Sequence, residues 1–210
     1  MRKWSAMGQT ALVSAQEVFA RRVEPARGLA GEAEQVARAC HAMATRFHGG
    51  GRLIVFGNGE AATDAQHIAV EFVHPVIVGK RALPSFSLTN DVATITGITG
   101  SSGFDEIFAH QLRLLAVRDD IALGISPYGD CPNVLRALQT AKDLGLLTLA
   151  LVGGDGGEIA RSASVDHVLI ARSGDPRVVK EVHVTTYHIL WELVHVFFEQ
   201  PGVLDPQVIA

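Results

Sequence analysis

Apolar residues recur at helical spacing from about Gly8 to Val23 and again from Gly28 to His48, with a break at Pro25. Two leading helices are predicted. The second carries a stripe of Ala30, Ala33, Val36, Ala37, Cys40, Met43, Ala44 and Phe47, continuous enough to face a partner surface, and it stops at Gly49-Gly50-Gly51. Beyond that point the pattern changes to short apolar runs that end at glycine or polar residues: Leu53–Phe56, Ser85–Leu88, Ile121–Ile125, Leu146–Val152 and His167–Ile170. Such runs read as strands covered on both faces. Helical patterns fill the intervals, at about Ala61–His74, Phe104–Val117, Pro132–Leu144, Glu158–Ala163 and Arg177–Phe198. Strand and helix alternating in this way imply right-handed βαβ units, a mostly parallel sheet, and a ligand held beyond the carboxyl ends of the strands. The chain divides into a helical pair over 1–50, an α/β domain over 51–199, and a tail over 200–210 that is expected to be an extended arm or disordered.

A length of 210 residues suits one domain, and 48% hydrophobic against 19% charged residues implies much buried surface, as in an obligate homo-oligomer. A net charge of -4 offers no field for a polyanion, so neither nucleic acid nor an anionic membrane is an expected partner. No span approaches the roughly 20 apolar residues of a membrane helix, and the N-terminus does not read as a secretory signal. Cys40 and Cys131 match no metal or redox spacing, which suits a reducing cytoplasm.

Three segments carry candidate chemistry. Phe56-Gly57-Asn58-Gly59-Glu60 is a glycine turn between strand and helix, a place where backbone N–H groups can hold an anion and also a common feature of any α/β fold. His67 and Glu71, four residues apart, leave one face of the next helix; that spacing serves a metal ion, a base beside a metal ligand, or a plain ion pair. On the last helix Lys180 and His188 lie two turns apart and can converge on one pocket, whereas His183 and His195 read as polar breaks in an apolar helix.

The run Phe-Gly-Asn-Gly-x-x-x-x-Asp-Ala-Gln-His-x-x-x-Glu, together with Lys-Glu-Val-His-Val-x-x-x-His-Ile-Leu near the end, resembles the phosphoheptose isomerase branch of the SIS (sugar isomerase) family. The resemblance spans about Ala11 to Glu199. It implies a flavodoxin-like αβα sandwich on a five-stranded parallel sheet, assembled as a homotetramer with active sites between subunits. It also implies a zinc site beside the sugar, made by a histidine and a glutamate of one helix and a glutamine and a histidine of the last. His67, Glu71 and His188 match three of these ligands, and Glu71 and His188 match the catalytic pair. Lys180 stands where the glutamine belongs.

An ammonium cannot ligate a cation, so the expectation is that Lys180 pairs with Glu71 and occupies the metal's place, leaving zinc doubtful. The family's phosphate loop of serines and threonine aligns with Ser126-Pro127-Tyr128-Gly129-Asp130-Cys131, which keeps only the first serine. Pro127 removes a donor, Tyr128 adds bulk, and Asp130, like Glu60 in the first turn, brings a carboxylate where a phosphate would sit. The candidate ligand-binding set is Gly57, Asn58, Glu60, Gly59, Asp91, Ser126, Tyr128, Gly129, Asp130 and Lys180. Two functions follow: a sugar-binding or accessory protein with eroded phosphate loops and a possible protein partner, or an active aldose–ketose isomerase acting on sedoheptulose 7-phosphate or a related sugar phosphate.

Overall fold

The computed structural model describes residues 14–204. Its chain order is α1 (Ala15–Gly31), α2 (Ala33–His48), β1 (Leu53–Gly57), α3 (Glu60–Val73), β2 (Ser85–Ser87), α4 (Val92–Ser102), a 3-10 turn (Phe104–Glu106), α5 (Ile107–Leu115), β3 (Ile121–Ser126), α6 (Pro132–Asp143), β4 (Leu147–Gly153), α7 (Gly157–Arg161), β5 (His167–Ala171) and α8 (Pro176–Glu199). The five strands pair in parallel in the order β2-β1-β3-β4-β5. Helices cover both faces, and the sheet divides the core into two apolar clusters. This is the flavodoxin-like sandwich that the resemblance implies.

All five apolar runs are strands, and β1, β3 and β4 are buried along their whole length, as a sheet covered on both sides requires. The leading helices differ from the reading at their junction. Pro25 lies inside α1 with its ring buried, so packing holds the helix through a residue that lacks one helical donor, and the chain turns at Glu32 instead. Residues 1–13, where the first predicted helix begins, lie outside the described residues.

The stripe on α2 is also corrected. From Val36 to Phe47 it is buried in the chain's own core against α8 except for the half-buried Ala37, and only Ala30 and Ala33 remain exposed beside Ala26. The tail differs too: residues 201–204 form a turn that buries Leu204 in the same core cluster, in place of an extended arm. The remaining tail residues, 205–210, lie outside the described residues.

Helix α4 was not legible. Its sequence, VATITGITGSS, is rich in β-branched residues and glycine, which favour helix poorly, and it has no strong apolar face. It forms because Asp91 caps it. The carboxylate accepts from the N–H groups of Ala93 and Thr94 (3.0 and 3.1 Å) and from the Thr94 hydroxyl (2.6 Å), and these bonds, the Thr94 hydroxyl first, hold its pKa below the usual value.

Asp166, just before β5, ties the far side of the sheet. Burial alone raises its pKa; the Lys142 ammonium, the Thr148 N–H and the Thr148 hydroxyl (both 3.0 Å) together outweigh that and leave it lowered. A carboxylate depressed in the folded state contributes stability above its unfolded pKa and loses it as pH falls through the folded value. Asp166→Asn is therefore expected to lower the urea midpoint at pH 7, by about 1 to 2 kcal/mol in free energy, and to flatten the loss of stability below about pH 4. Urea titrations of both proteins between pH 3 and 7 check this. The Cys40 thiol is pushed up to about 12 by burial, so it is inert, and both cysteines are free.

Candidate functional site

The cavity of the site lies beyond the carboxyl ends of β1 and β3, where the strand order changes direction, and a cluster of metal-competent side chains lies farther along α3. The turn after β1 is fixed there by a reciprocal amide pair: Asn58 donates to Asn133 (2.8 Å), and Asn133 donates back (2.9 Å). The pair joins the start of α3 to the start of α6. Gly59 caps α3 with no side-chain bond, so the first backbone N–H groups of that helix have no side-chain partner at the cap.

Helices α3 and α8 bring three donors together. Glu71 Oε1 lies 3.3 Å from His67 Nε2 and 3.1 Å from His188 Nε2, and one ligand atom from each residue falls within 4.8 Å of the others. Both imidazoles are half exposed, whereas the Glu71 side chain is 13% exposed. Its Oε2 is buried without a hydrogen-bond partner among the described residues. A buried carboxylate oxygen left unpaired is costly, and two imidazole nitrogens with one carboxylate oxygen are the ligand set of a zinc-type dication. The residues fit such an ion.

Two flanking residues fix the cluster, and the sequence reading missed both. Trp191 donates its indole N–H to the Glu71 carbonyl at 3.0 Å, and Tyr187 packs edge-on against His188 (4.8 Å between ring centroids) and tilted on His67 (5.6 Å). Burial first, then the charges of Asp64 and Glu71, pushes the Tyr187 hydroxyl pKa up, which keeps it protonated. The one signal for them was position: both lie within one turn of His188 on the same helix.

Lys180 does not pair with Glu71. Its ammonium lies 2.6 Å from Asp64 Oδ1 and 3.1 Å from the Glu60 carbonyl oxygen, at the first turns of α3. The reason is register. Asp64 precedes Glu71 by seven residues on α3, Lys180 precedes His188 by eight on α8, and the cross-helix pairs match level by level. The space beside Glu71 is thus left to the two histidines. Asp64 was overlooked as the partner although it stands in the most specific run of the sequence.

Lys180 lines a cavity of about 320 Å³ with Asn58, Glu60, Asp64, Tyr128 and His183. The loop after β3 forms one wall through Pro127 and Tyr128. Asp130 faces away from it. Its Oδ1 accepts from the Glu158 N–H at 2.9 Å, so the carboxylate expected to repel a phosphate caps α7 instead. Gly129 is buried and its carbonyl accepts from the Ile159 N–H at 2.9 Å, which makes it a packing residue and not a ligand contact. Ser126 is fully buried, with its hydroxyl unpaired among the described residues. Gly57 is the buried last residue of β1. Asp91 borders a separate cavity behind β2, beside Phe86 and Thr94, and is a helix cap, not part of the cleft.

His183 and His195, read as polar breaks in an apolar helix, are buried against backbone carbonyls, His183 Nε2 at 3.0 Å from the Val152 oxygen and His195 Nε2 at 2.9 Å from that of Arg81. Burial lowers the pKa of His183.

Fold and cluster together define an α/β protein with a cavity at the sheet's switch point and a metal-competent pair of histidines and a carboxylate between two helices. The SIS domain matches residues 16–153. The phosphoheptose isomerase of Solidesulfovibrio magneticus is 39% identical over 182 residues, covering 86% of this chain and 88% of that one. That of Pelobacter propionicus is 42% identical over 148 residues, covering 70% and 77%. Among solved structures, a phosphoheptose isomerase from Francisella tularensis superposes with a TM-score of 0.81 at 31% identity, covering 86% of this chain and 96% of its own. The chain belongs to the SIS domain family, and it is similar to phosphoheptose isomerases over most of its length.

Proposed function

We propose that the protein is an aldose–ketose isomerase acting on a sugar phosphate, with sedoheptulose 7-phosphate as the first substrate to test. The observation that carries this is the Glu71 carboxylate, open on one oxygen and flanked by His67 and His188. Lys180 leaves that cluster free, which removes the sequence argument against a metal there. Isomerisation breaks one C–H bond beside the carbonyl, passes through an enediolate, and forms one C–H bond at the former carbonyl carbon; a hydroxyl proton crosses between the two oxygens, with no outside oxidant. Glu71 and His188 are the groups placed to take and return those protons. His67, Glu71 and His188 would hold a zinc ion, which polarises the substrate oxygens when bound. Trp191 and Tyr187 keep the cluster's geometry.

A homo-oligomer in the cytoplasm is part of this proposal. An apolar groove of about 200 Å³ between the leading helices and α8, lined by Ala26, Ala30, Val182, Ile189 and Leu193, supports a second copy as its cover. No helix among the described residues is long and apolar enough to cross a membrane. Turnover of sedoheptulose 7-phosphate by the zinc-loaded protein, followed by appearance of the aldose, tests the function. Zinc bound at one ion per subunit together with turnover is the expected result, and turnover no faster than without protein rejects it.

A second reading, a sugar-binding accessory protein with a protein partner, is favoured by Pro127 and Tyr128 on the cavity wall, where they place no hydroxyl-rich loop. Sugar binding without turnover is its signature.

A further inference from the structure

We infer that Lys180 anchors the phosphate end of the substrate, so that it and the His67–Glu71–His188 cluster together set the length of sugar the cleft accepts. This rests on the isomerase reading and adds to it a specificity-determining residue. Among the described residues lining the cavity at the start of α3, Lys180 is the one cation, since burial holds His183 towards its neutral form. An ammonium has three donors. Asp64 and the Glu60 carbonyl take two of them, which leaves one for a ligand.

Those two contacts also pin a side chain that is otherwise costly to order. The Asp64 side chain is only 6% exposed, so its charge is spent on Lys180 and offers little to a ligand in the cavity. Asp130, the carboxylate that would oppose an anion, is turned to α7. Glu60 alone works against a phosphate, and it stands exposed at the rim, where solvent and salt screen it.

The spacing identifies which end of the ligand belongs here. Asp64, which marks the position of the ammonium, precedes Glu71 by seven residues, about 10 Å along α3. That span suits an extended six- or seven-carbon sugar ester, with its carbonyl end at Glu71 and its ester end at Lys180. A three-carbon phosphate cannot reach both.

Calorimetric titration of inorganic phosphate into the full-length protein at low ionic strength tests the anchor. Wild type is expected to bind, Lys180→Met to bind about tenfold more weakly or worse, and Lys180→Arg to retain binding. Asp64→Asn removes the carboxylate that shares the ammonium and is expected to bind phosphate at least as tightly as wild type. No binding by wild type, or equal binding by Lys180→Met, overturns the inference. So does Asp64→Asn losing phosphate as fully as Lys180→Met while keeping its melting temperature, because Lys180 is then a strut between helices. If Lys180→Met does not fold, the arginine and Asp64→Asn arms decide. With sedoheptulose 7-phosphate, a raised KM at little-changed kcat in Lys180→Met supports the anchor. Phosphate binding without any turnover keeps the anchor and rejects the isomerase; turnover with KM unchanged in Lys180→Met does the reverse.

Discussion

Glu71→Gln is expected to lower kcat on sedoheptulose 7-phosphate by about 10²- to 10⁴-fold, the range for loss of a positioned acid–base group. The change conserves shape and removes charge. Glutamine keeps one oxygen near His67 and His188, but its amide cannot take a proton from carbon, and it replaces the unpaired buried oxygen or its neighbour with an N–H₂ group. A loss of that size corresponds to roughly 3 to 5 kcal/mol of transition-state stabilisation. Zinc bound per subunit should fall with it, because an anionic ligand is lost. The fold should not suffer, since the partners of the carboxylate are two half-exposed imidazoles and not a buried cation. Activity, bound zinc and melting temperature measured on the same preparation separate these effects. Full activity in Glu71→Gln would place the chemistry elsewhere.

The strands were legible because each is a short apolar run closed by glycine or polar residues, and the alternation with helices left few topologies to choose from. Helix α4 was not, because its sequence carries neither propensity nor a marked apolar face, and a cap at Asp91 does the specifying. Pro25 misled for the opposite reason: a local rule was overridden by burial.

At the site, the helical spacing of His67 and Glu71 showed a shared face, and the resemblance to the phosphoheptose isomerase branch, not the spacing, joined His188 to them. What sequence could not give is direction across helices. Lys180 has the reach to meet either Glu71 or Asp64, and only the register of α8 on α3 chooses Asp64. Asp130 is the same case, as a carboxylate in a phosphate-like loop can face the loop or cap a neighbouring helix, and the cap wins. The aligned loop therefore looked more hostile to phosphate than the fold makes it.

That loop is also the place where a single methyl group is expected to do most damage to stability. Gly129 has φ of +73°, and a Cβ built on it would lie 2.0 Å from the Gly156 carbonyl oxygen and 2.3 Å from the carbonyl carbon. Both obstacles are backbone, so no rotamer change relieves them. Left-handed strain costs about 1 to 2 kcal/mol for a residue with a side chain, and overpacking adds about 1 to 3 kcal/mol. Gly129→Ala should therefore cost about 3 kcal/mol, which for a chain of this size lowers Tm by roughly 6 to 12 °C. Gly154→Ala is the control. Its φ is +67° but its Cβ would meet nothing within 4 Å, so it should show the strain alone and lose roughly half as much. The two glycines also differ in consequence for the cleft. To admit a methyl, the Gly129 turn must move away from Gly156, carrying with it Tyr128 and Pro127, which wall the cavity beside Lys180. Gly129→Ala should thus raise KM for a sugar phosphate even at temperatures where it stays folded, whereas Gly154→Ala should leave KM unchanged. Thermal melts and KM values for both variants check this, and equal Tm losses would show that the close approach of the two turns is not what holds the loop.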